Sequence, residues 1–343
     1  MKNKLLLFLL MFTMLFTTAC EKEEKNEIDI LNWSSYIPDS VIRKFEKETN
    51  IKINYSTYSS NEELLAKVGT SSKGTYDLIF PSDYMVELMI KRNMLEKIDK
   101  TKIKNIDNLN EKHLNYEFDK NNEYSLPFLM ATTVIAYNKE NILDDIKSYK
   151  DLLNPKFKNN IVLIDDQRII IGASLLANGY DMNSTNKKEL EKAEKWLLKL
   201  KENVKAFDSD SPKNFLISNE VDIALIWNAE AALASYENPN IEIVYPKEGI
   251  AKSLDNFAIP KGGKNRENVY KFIDYILRPE IMKEIIESYP YKNVNSKTER
   301  ILSYNYLFNK AANVDDEIIQ NGYFVKNIDS HIKEYDKIWA NIK

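Results

Sequence analysis

The chain has one cysteine, Cys20, and two histidines, His113 and His331, in 343 residues. Beyond Cys20 there is no thiol, so the body of the protein can hold no disulfide, thiolate metal site or cysteine nucleophile. Glycine signatures of phosphate chemistry are also missing. No GxGxxG or GxSxG occurs, and GTSSKG from Gly69 to Gly74 lacks the lysine and hydroxyl residue that follow a P-loop's second glycine. There is no basic block, and a formal net charge of −4 argues against nucleic acid as a partner. Low-complexity linkers and repeats of fixed period are absent as well, and the apolar run from Leu5 to Phe16 is too short to span a bilayer with ease.

That run is flanked by Lys2 and Lys4 on one side and by small residues ending at Cys20 on the other, which is the three-part layout of a secretory signal. MKNKLLLFLLMFTMLFTTAC resembles a bacterial lipoprotein signal, with Thr17 where that box usually has leucine. The resemblance implies that residues 1–19 are removed and that Cys20 is lipidated as the first residue of the mature protein. EKEEKNE, with no apolar face, completes a tether over 20–27. The remaining 324 residues suffice for two domains of about 150 each. Loss of Lys2 and Lys4 takes the net charge to about −6, and 43% of the full chain is hydrophobic, enough for a sizeable core.

The sequence then alternates. IDILNW reads as a strand and DSVIRKFEKETN as a helix capped by Asp39 or Ser40. IKINYSTY is the next strand, NEELLAKVGT a helix with Asn61 as its cap, YDLIF a strand and SDYMVELMIKRN a helix. Three strand–helix pairs in succession predict a parallel sheet covered by helices. SLPFLMATTVIAYNKE is a long β-leaning stretch without a turn signal and suits a crossing between two lobes. A second alternation runs from NIVLID through VDIALIW and NAEAALASYE to IEIVYP, followed by the strand DNFAIP, a helix opening near Glu267 and a terminal helix through HIKEYDKIWANI. The expected fold is α/β with two lobes, each a mainly parallel sheet flanked by helices, and a cleft between them.

In open α/β sheets ligands bind outside the carboxyl ends of the strands. The residues just past the predicted strands are Trp33, Ser34 and Tyr36; Tyr55 and Tyr58; Ser82, Asp83 and Tyr84; Asp165 and Asp166; Asp208, Ser209 and Asp210; Trp227, Asn228 and Glu230; and Asp255 just before the last strand. Aromatic rings and acids dominate, and Arg168 is the one cation among them. Ring faces attract ammonium groups and carboxylates neutralise them, so such a cleft suits an organic cation. A cation over a ring contributes about 0.5–2 kcal/mol, whereas micromolar binding needs about 8 kcal/mol. Acids must therefore carry the charge, and spaced acids with rings between them point to a linear molecule charged at both ends. Each member also has a plainer reading. A tryptophan at a strand end is usually rim packing, and Asp83, Asp166 or Asp210 can each be a helix N-cap.

The blocks LNWSSYIP, EKETNIKINYSTYSSNEELLAKV, YDLIFPSDYMVE, LIDDQR, the IWN of VDIALIWNAE, VYPKEG, LDNFAIP and IDYILRPE resemble, in order, blocks of the spermidine/putrescine-binding proteins of ABC transporters. The likeness spans essentially the whole mature chain. It implies a two-lobed, hinged solute-binding protein of the periplasmic-binding-protein type, read here as lobe 1 over 28–133 and 256–303 and lobe 2 over 134–255 and 304–343. It implies capture of a polyamine, putrescine or spermidine, outside the membrane and delivery to the membrane subunits of an ABC permease. A monomer held to the membrane by its lipid alone is expected, with no cofactor and no catalytic activity.

By the same resemblance Trp33, Tyr36, Tyr84 and Trp227 wall the polyamine, and Ser34 meets an end amine. Asp166 and Asp255 hold amine nitrogens. Glu230 matches a position where putrescine binders have an acid, and Ser82, Ser209 and Tyr289 match lesser contacts. Two positions depart from the pattern: Ile169 stands where spermidine binders have a second acid, and Ser253 where tryptophan is common. Glu230 replacing the acid missing at Ile169 favours putrescine or a general diamine and polyamine site. The rival readings are a binding lipoprotein of the same fold for another small organic or cationic solute, a polyamine sensor, and, more remotely, an exported enzyme.

Overall fold

The computed structural model describes residues 26–328 and 331–343, so the signal, Cys20 and its lipidation lie outside the described residues. Ten strands form one continuous mixed sheet: β1 (Glu27–Trp33), β2 (Lys52–Tyr58), β3 (Leu78–Ile79), β4 (Ser125–Asn138), β5 (Ile161–Leu163), β6 (Val204–Phe207), β7 (Ile223–Trp227), β8 (Ile241–Val244), β9 (Ala251–Ala258) and β10 (Tyr323–Phe324). Their order is β2-β1-β3-β9-β4-β7-β5-β6, with β10 on β9 and β8 on β4.

Two parallel triplets sit at the flanks of this order. β2, β1 and β3 run parallel on one side, and β7, β5 and β6 run parallel on the other. Between them lie β9 and β4, antiparallel to each other. All fourteen residues of β4 are buried. Its first half, Ser125 to Thr132, pairs with β9; its second half, from Thr133, pairs with β7 and β8. The long stretch without turn signals is thus a single strand shared by the two halves of the sheet, which is why it carries no polar alternation. Each triplet is parallel as expected, and the antiparallel β9–β4 pair at the centre makes the sheet as a whole mixed.

The largest apolar core lies behind β1, β3, β4 and β9, around Phe45, Phe80, Phe128, Phe257 and Phe272. A second core packs β5 and β7 against helices Gln167–Ala177, Lys187–Leu200 and Ile332–Ile342. Among the described residues no helix is long and apolar enough to cross a membrane.

Several local expectations shift. Helix Asp39–Thr49 opens after Pro38, and neither Asp39 nor Ser40 caps it; proline fixes the entry φ, and Asp39 sits in the first turn, 3.8 Å from Arg43. Helix Asn61–Thr70 is capped by Ser60, whose Oγ accepts from the Glu63 backbone, a contribution of about 1 kcal/mol. Asn61 is free to bridge elsewhere. β9 begins four residues before DNFAIP, so Asp255 lies inside the strand and not ahead of it. Helix Pro279–Ser288, absent from the sequence reading, buries Ile281, Met282, Ile285 and Ile286 on one face and starts at a proline suited to a first turn.

Candidate ligand-binding site

The carboxyl ends of all six triplet strands open into one cavity of about 460 Å³. Trp33, Ser34, Tyr36, Ser82, Tyr84, Asp166, Ser209, Trp227, Glu230, Asp255 and Tyr289 all line it, as do Ile169 and Ser253. Other candidates from the strand ends fall away. Tyr55 is half-buried against the first core. Asp83 is buried, taking the Leu254 backbone N–H on one oxygen and its neighbour Tyr84 N–H on the other, so it fastens its helix to β9. Asp165 lines the cavity but is ion-paired with Lys343, and Asp208 closes its own turn through the Asp210 and Ser211 amides.

One wall follows from a single turn. β1 ends at Trp33, and Ser35 adopts a left-handed φ of 53°, which folds Tyr36 back so that the two rings lie 6.2 Å apart. Trp33 also packs on Tyr58 at 4.5 Å, and its indole N–H donates to the Phe80 carbonyl. Tyr36 stacks on Tyr291 at 4.8 Å. Ser34, at the top of the turn, is exposed to the cavity. On the facing side Trp227 ends β7 and packs against both cores, while Tyr84 donates its hydroxyl to Glu62 at 3.1 Å.

Asp255 is the most enclosed acid of the wall. It is 2% exposed, and its two oxygens accept from the Tyr36 and Ser82 hydroxyls, each at 2.6 Å. Ser82 does not cap the helix it precedes; its Oγ serves Asp255 and in turn accepts from Asn61. Burial pushes the Asp255 carboxyl up to about 6, against the hydrogen bonds from Ser82, Tyr36 and Trp33. Among the described residues no cation is ion-paired with it. Hydroxyl donors do not neutralise a buried carboxylate, and an ammonium is the partner that would favour its charged form and complete it.

The acid at the end of β5 is built differently. Asp166 is the N-cap of helix Gln167–Ala177, its Oδ1 accepting from the Arg168 and Ile169 backbones. The plain N-cap reading therefore holds for this oxygen, and Oδ2 is left outside the cap. Burial raises the Asp166 pKa, and nearby Glu62 raises it further. Arg168 does not neutralise the pair by an ion bridge: its guanidinium turns to Asn183, the Lys326 carbonyl and the Tyr335 ring. Ile169, where an acid was missing, is an apolar part of the lining.

Glu230 lines the same cavity in the first turn of helix Asn228–Glu237, yet it is already paired. Lys213 Nζ donates to both of its oxygens, at 3.1 and 2.9 Å. Sequence reasoning passed over Lys213, and also over Glu62 and Tyr291 as lining residues, while Tyr58, named there as a strand-end residue, lines the cavity. Glu62 reads as a first-turn acid serving its helix; Tyr291 follows the helix that was not foreseen. Among the described residues no group of three or more metal-ligating side chains occurs.

The chain as a whole has known counterparts. The family described as bacterial extracellular solute-binding protein matches residues 40–303. A spermidine/putrescine-binding periplasmic protein of Escherichia coli K12 is 37% identical over 327 residues, covering 95% of this chain and 94% of its own. The structure of the spermidine/putrescine ABC transporter substrate-binding protein PotD from Streptococcus pneumoniae superposes with a TM-score of 0.81 at 30% identity, covering 92% of this chain and 98% of that one. The Tp0655 (TpPotD) lipoprotein of Treponema pallidum gives 0.83 at 26% identity, covering 92% and 99%. With its two parallel triplets, shared central strands and cleft at the strand ends, the chain belongs to the bacterial extracellular solute-binding proteins.

Proposed function

We propose that this protein captures a polyamine outside the cytoplasmic membrane and delivers it to the membrane subunits of an ABC permease. The observation that carries the reading is Asp255: a buried carboxylate in a cavity wall of aromatic rings, held by the Tyr36 and Ser82 hydroxyls and, among the described residues, without an ion-paired cation. In this reading one ligand ammonium pairs with Asp255 beside Trp33 and Tyr36. The methylene chain runs between the rings of Trp33, Tyr36, Tyr84 and Trp227, and the other ammonium meets Asp166 and Glu62. Ser34, Ser209 and Tyr289 add polar contacts. Two acidic ends separated by rings fit a linear dication, and sugar recognition would call instead for amides. The relatives named for spermidine and putrescine support the class of ligand.

The protein acts as a monomeric binding component with no catalytic role. β4, β9 and the chain at 303–304 are the crossings between lobe 1, 28–133 with 256–303, and lobe 2, 134–255 with 304–343. Cys20 carries the lipid that holds it at the membrane, a reading supported by the leader's layout and by the lipoprotein from Treponema pallidum. Calorimetry of the mature chain against putrescine, cadaverine, spermidine and spermine tests the proposal. Micromolar or tighter binding of at least one of them, with putrescine or cadaverine no weaker than spermine, is expected. Absence of heat and of thermal stabilisation with all four would overturn it.

A further inference from the structure

The Lys213–Glu230 pair bears on which polyamine the cleft accepts, an inference that rests on the polyamine reading above. Glu230 faces the cavity, and both its oxygens receive the same ammonium, from a side chain seventeen residues earlier in helix Lys213–Ile217. Both partners are largely shielded, their side chains 23% and 13% exposed. Lys213 is not itself part of the cavity lining, so it cancels the acid from behind without presenting a positive charge to the ligand. Asp255, in the same lining, is held instead by the Tyr36 and Ser82 hydroxyls, with no ion pair among the described residues. Two acids thus line one cavity, and one of them is neutralised by the chain itself.

We propose that Lys213 is an internal substitute for a ligand ammonium: by occupying Glu230 it removes one cation subsite and limits the cleft to ligands whose charges are met by Asp255 and by Asp166 with Glu62. The selectivity works by exclusion, since an additional amine placed near Glu230 finds a neutral pair in a poorly hydrated wall and must shed water without gaining a counterion. Glu230 therefore does not take over the role vacated at Ile169.

Lys213→Met, Lys213→Arg, Glu230→Gln and the double variant Lys213→Met/Glu230→Gln separate the alternatives, each measured by calorimetry with putrescine and spermidine at pH 8, after circular dichroism has confirmed folding. Freeing Glu230 in Lys213→Met is expected to strengthen spermidine relative to putrescine by about tenfold, the scale of one charged hydrogen bond. Lys213→Arg keeps the pair and should keep the wild-type ratio. The double variant exchanges one neutral pair for another and should bind both ligands within about threefold of wild type, less than the effect of one charged hydrogen bond; it also carries the test if Lys213→Met does not fold. If the spermidine-to-putrescine ratio of Lys213→Met is unchanged, or if the double variant loses affinity as fully as Glu230→Gln alone, Glu230 contacts the ligand directly and the inference falls while polyamine binding stands. A wild-type protein that binds neither polyamine would instead remove the functional reading, and the inference with it.

Discussion

Asp255 and Glu230 line one cavity and are both shielded from bulk water, yet the fold treats them in opposite ways. Asp255 is met by two hydroxyls at 2.6 Å, Glu230 by an ammonium at 2.9 and 3.1 Å. Burial raises the pKa of each, and only Glu230 has a cation to oppose it. Hydroxyl donors steady a carboxylate without discharging it, so Asp255 remains an electrostatic demand waiting on a ligand. An ammonium partner closes that demand within the chain. A buried charge therefore marks a binding position only when its partners leave it charged, and counting acids around a cleft overstates the charge available to a ligand.

The largest effect that could break this comparison is at Asp255. Asp255→Ala is expected to weaken the best polyamine by at least about thirtyfold in calorimetry, because truncating one partner of a buried charge pair costs about 2–5 kcal/mol. Unchanged affinity would show that the hydroxyl-held acid is structural, and would move the charge recognition to Asp166 and Glu62.

Much of this site was legible in the sequence because it depends on where strands stop. Trp33, Tyr36, Tyr84 and Trp227 each follow an apolar run, and the rule that ligands gather at carboxyl ends put them in one place. What was not legible depends on rotation about a helix or on one side chain's choice of partner. Asp83 lies next to Tyr84 in sequence but turns into the protein to bind the Leu254 amide. Asp165 and Asp166 are neighbours, yet Lys343 from the terminal helix claims the first and a helix N-terminus the second. Lys213 meets Glu230 only because a five-residue helix sets its direction, and no spacing rule encodes that contact. The alternation also concealed the antiparallel β9–β4 pair: a strand buried along its whole length reads the same in either direction.

The pH dependence sharpens the comparison further, with opposite signs for binding and for stability. Asp255 holds its proton up to about pH 6 in the empty cleft, and the neutral acid offers an ammonium no charge. Affinity for putrescine should be level above pH 7 and fall by up to about tenfold per unit below pH 6, one proton being taken up on ligand release. The empty protein behaves the other way. A carboxyl whose folded pKa lies above its unfolded value of 3.8 contributes stability that is complete below that value and lost as pH rises through about 6. Asp255→Asn should accordingly stabilise the ligand-free protein at pH 7.5 by about 1–3 kcal/mol in urea unfolding while suppressing binding, since each pKa unit is worth about 1.4 kcal/mol. If the variant is less stable at pH 7.5 than the parent, the carboxylate is not strained by burial.

Ring substitutions come next in size. Trp33→Phe keeps a face for an ammonium and should lose less than about threefold, whereas Trp33→Leu removes the quadrupole and should lose about three- to thirtyfold, the span of 0.5–2 kcal/mol. Equal losses in the two variants would reduce Trp33 to shape alone.

The smallest expected effect is that of salt, and it follows from the same difference between enclosed and open charge. Exposed pairs such as Arg43–Asp39, with side chains 69% and 88% exposed, are screened within a Debye length of about 10 Å at 0.1 M. Asp255 lies beneath the Tyr36 and Ser82 hydroxyls at 2% exposure, and a ligand ammonium bound there would itself keep salt ions from it. Raising sodium chloride from about 50 to 300 mM should therefore weaken putrescine binding less than about threefold, and the change should appear in the association rate, where the mildly acidic surface attracts a dication over distance. A loss of tenfold or more, carried by faster dissociation in stopped-flow measurements, would mean that the bound ammonium stays open to solvent, and the distinction between Asp255 and a surface acid would no longer hold.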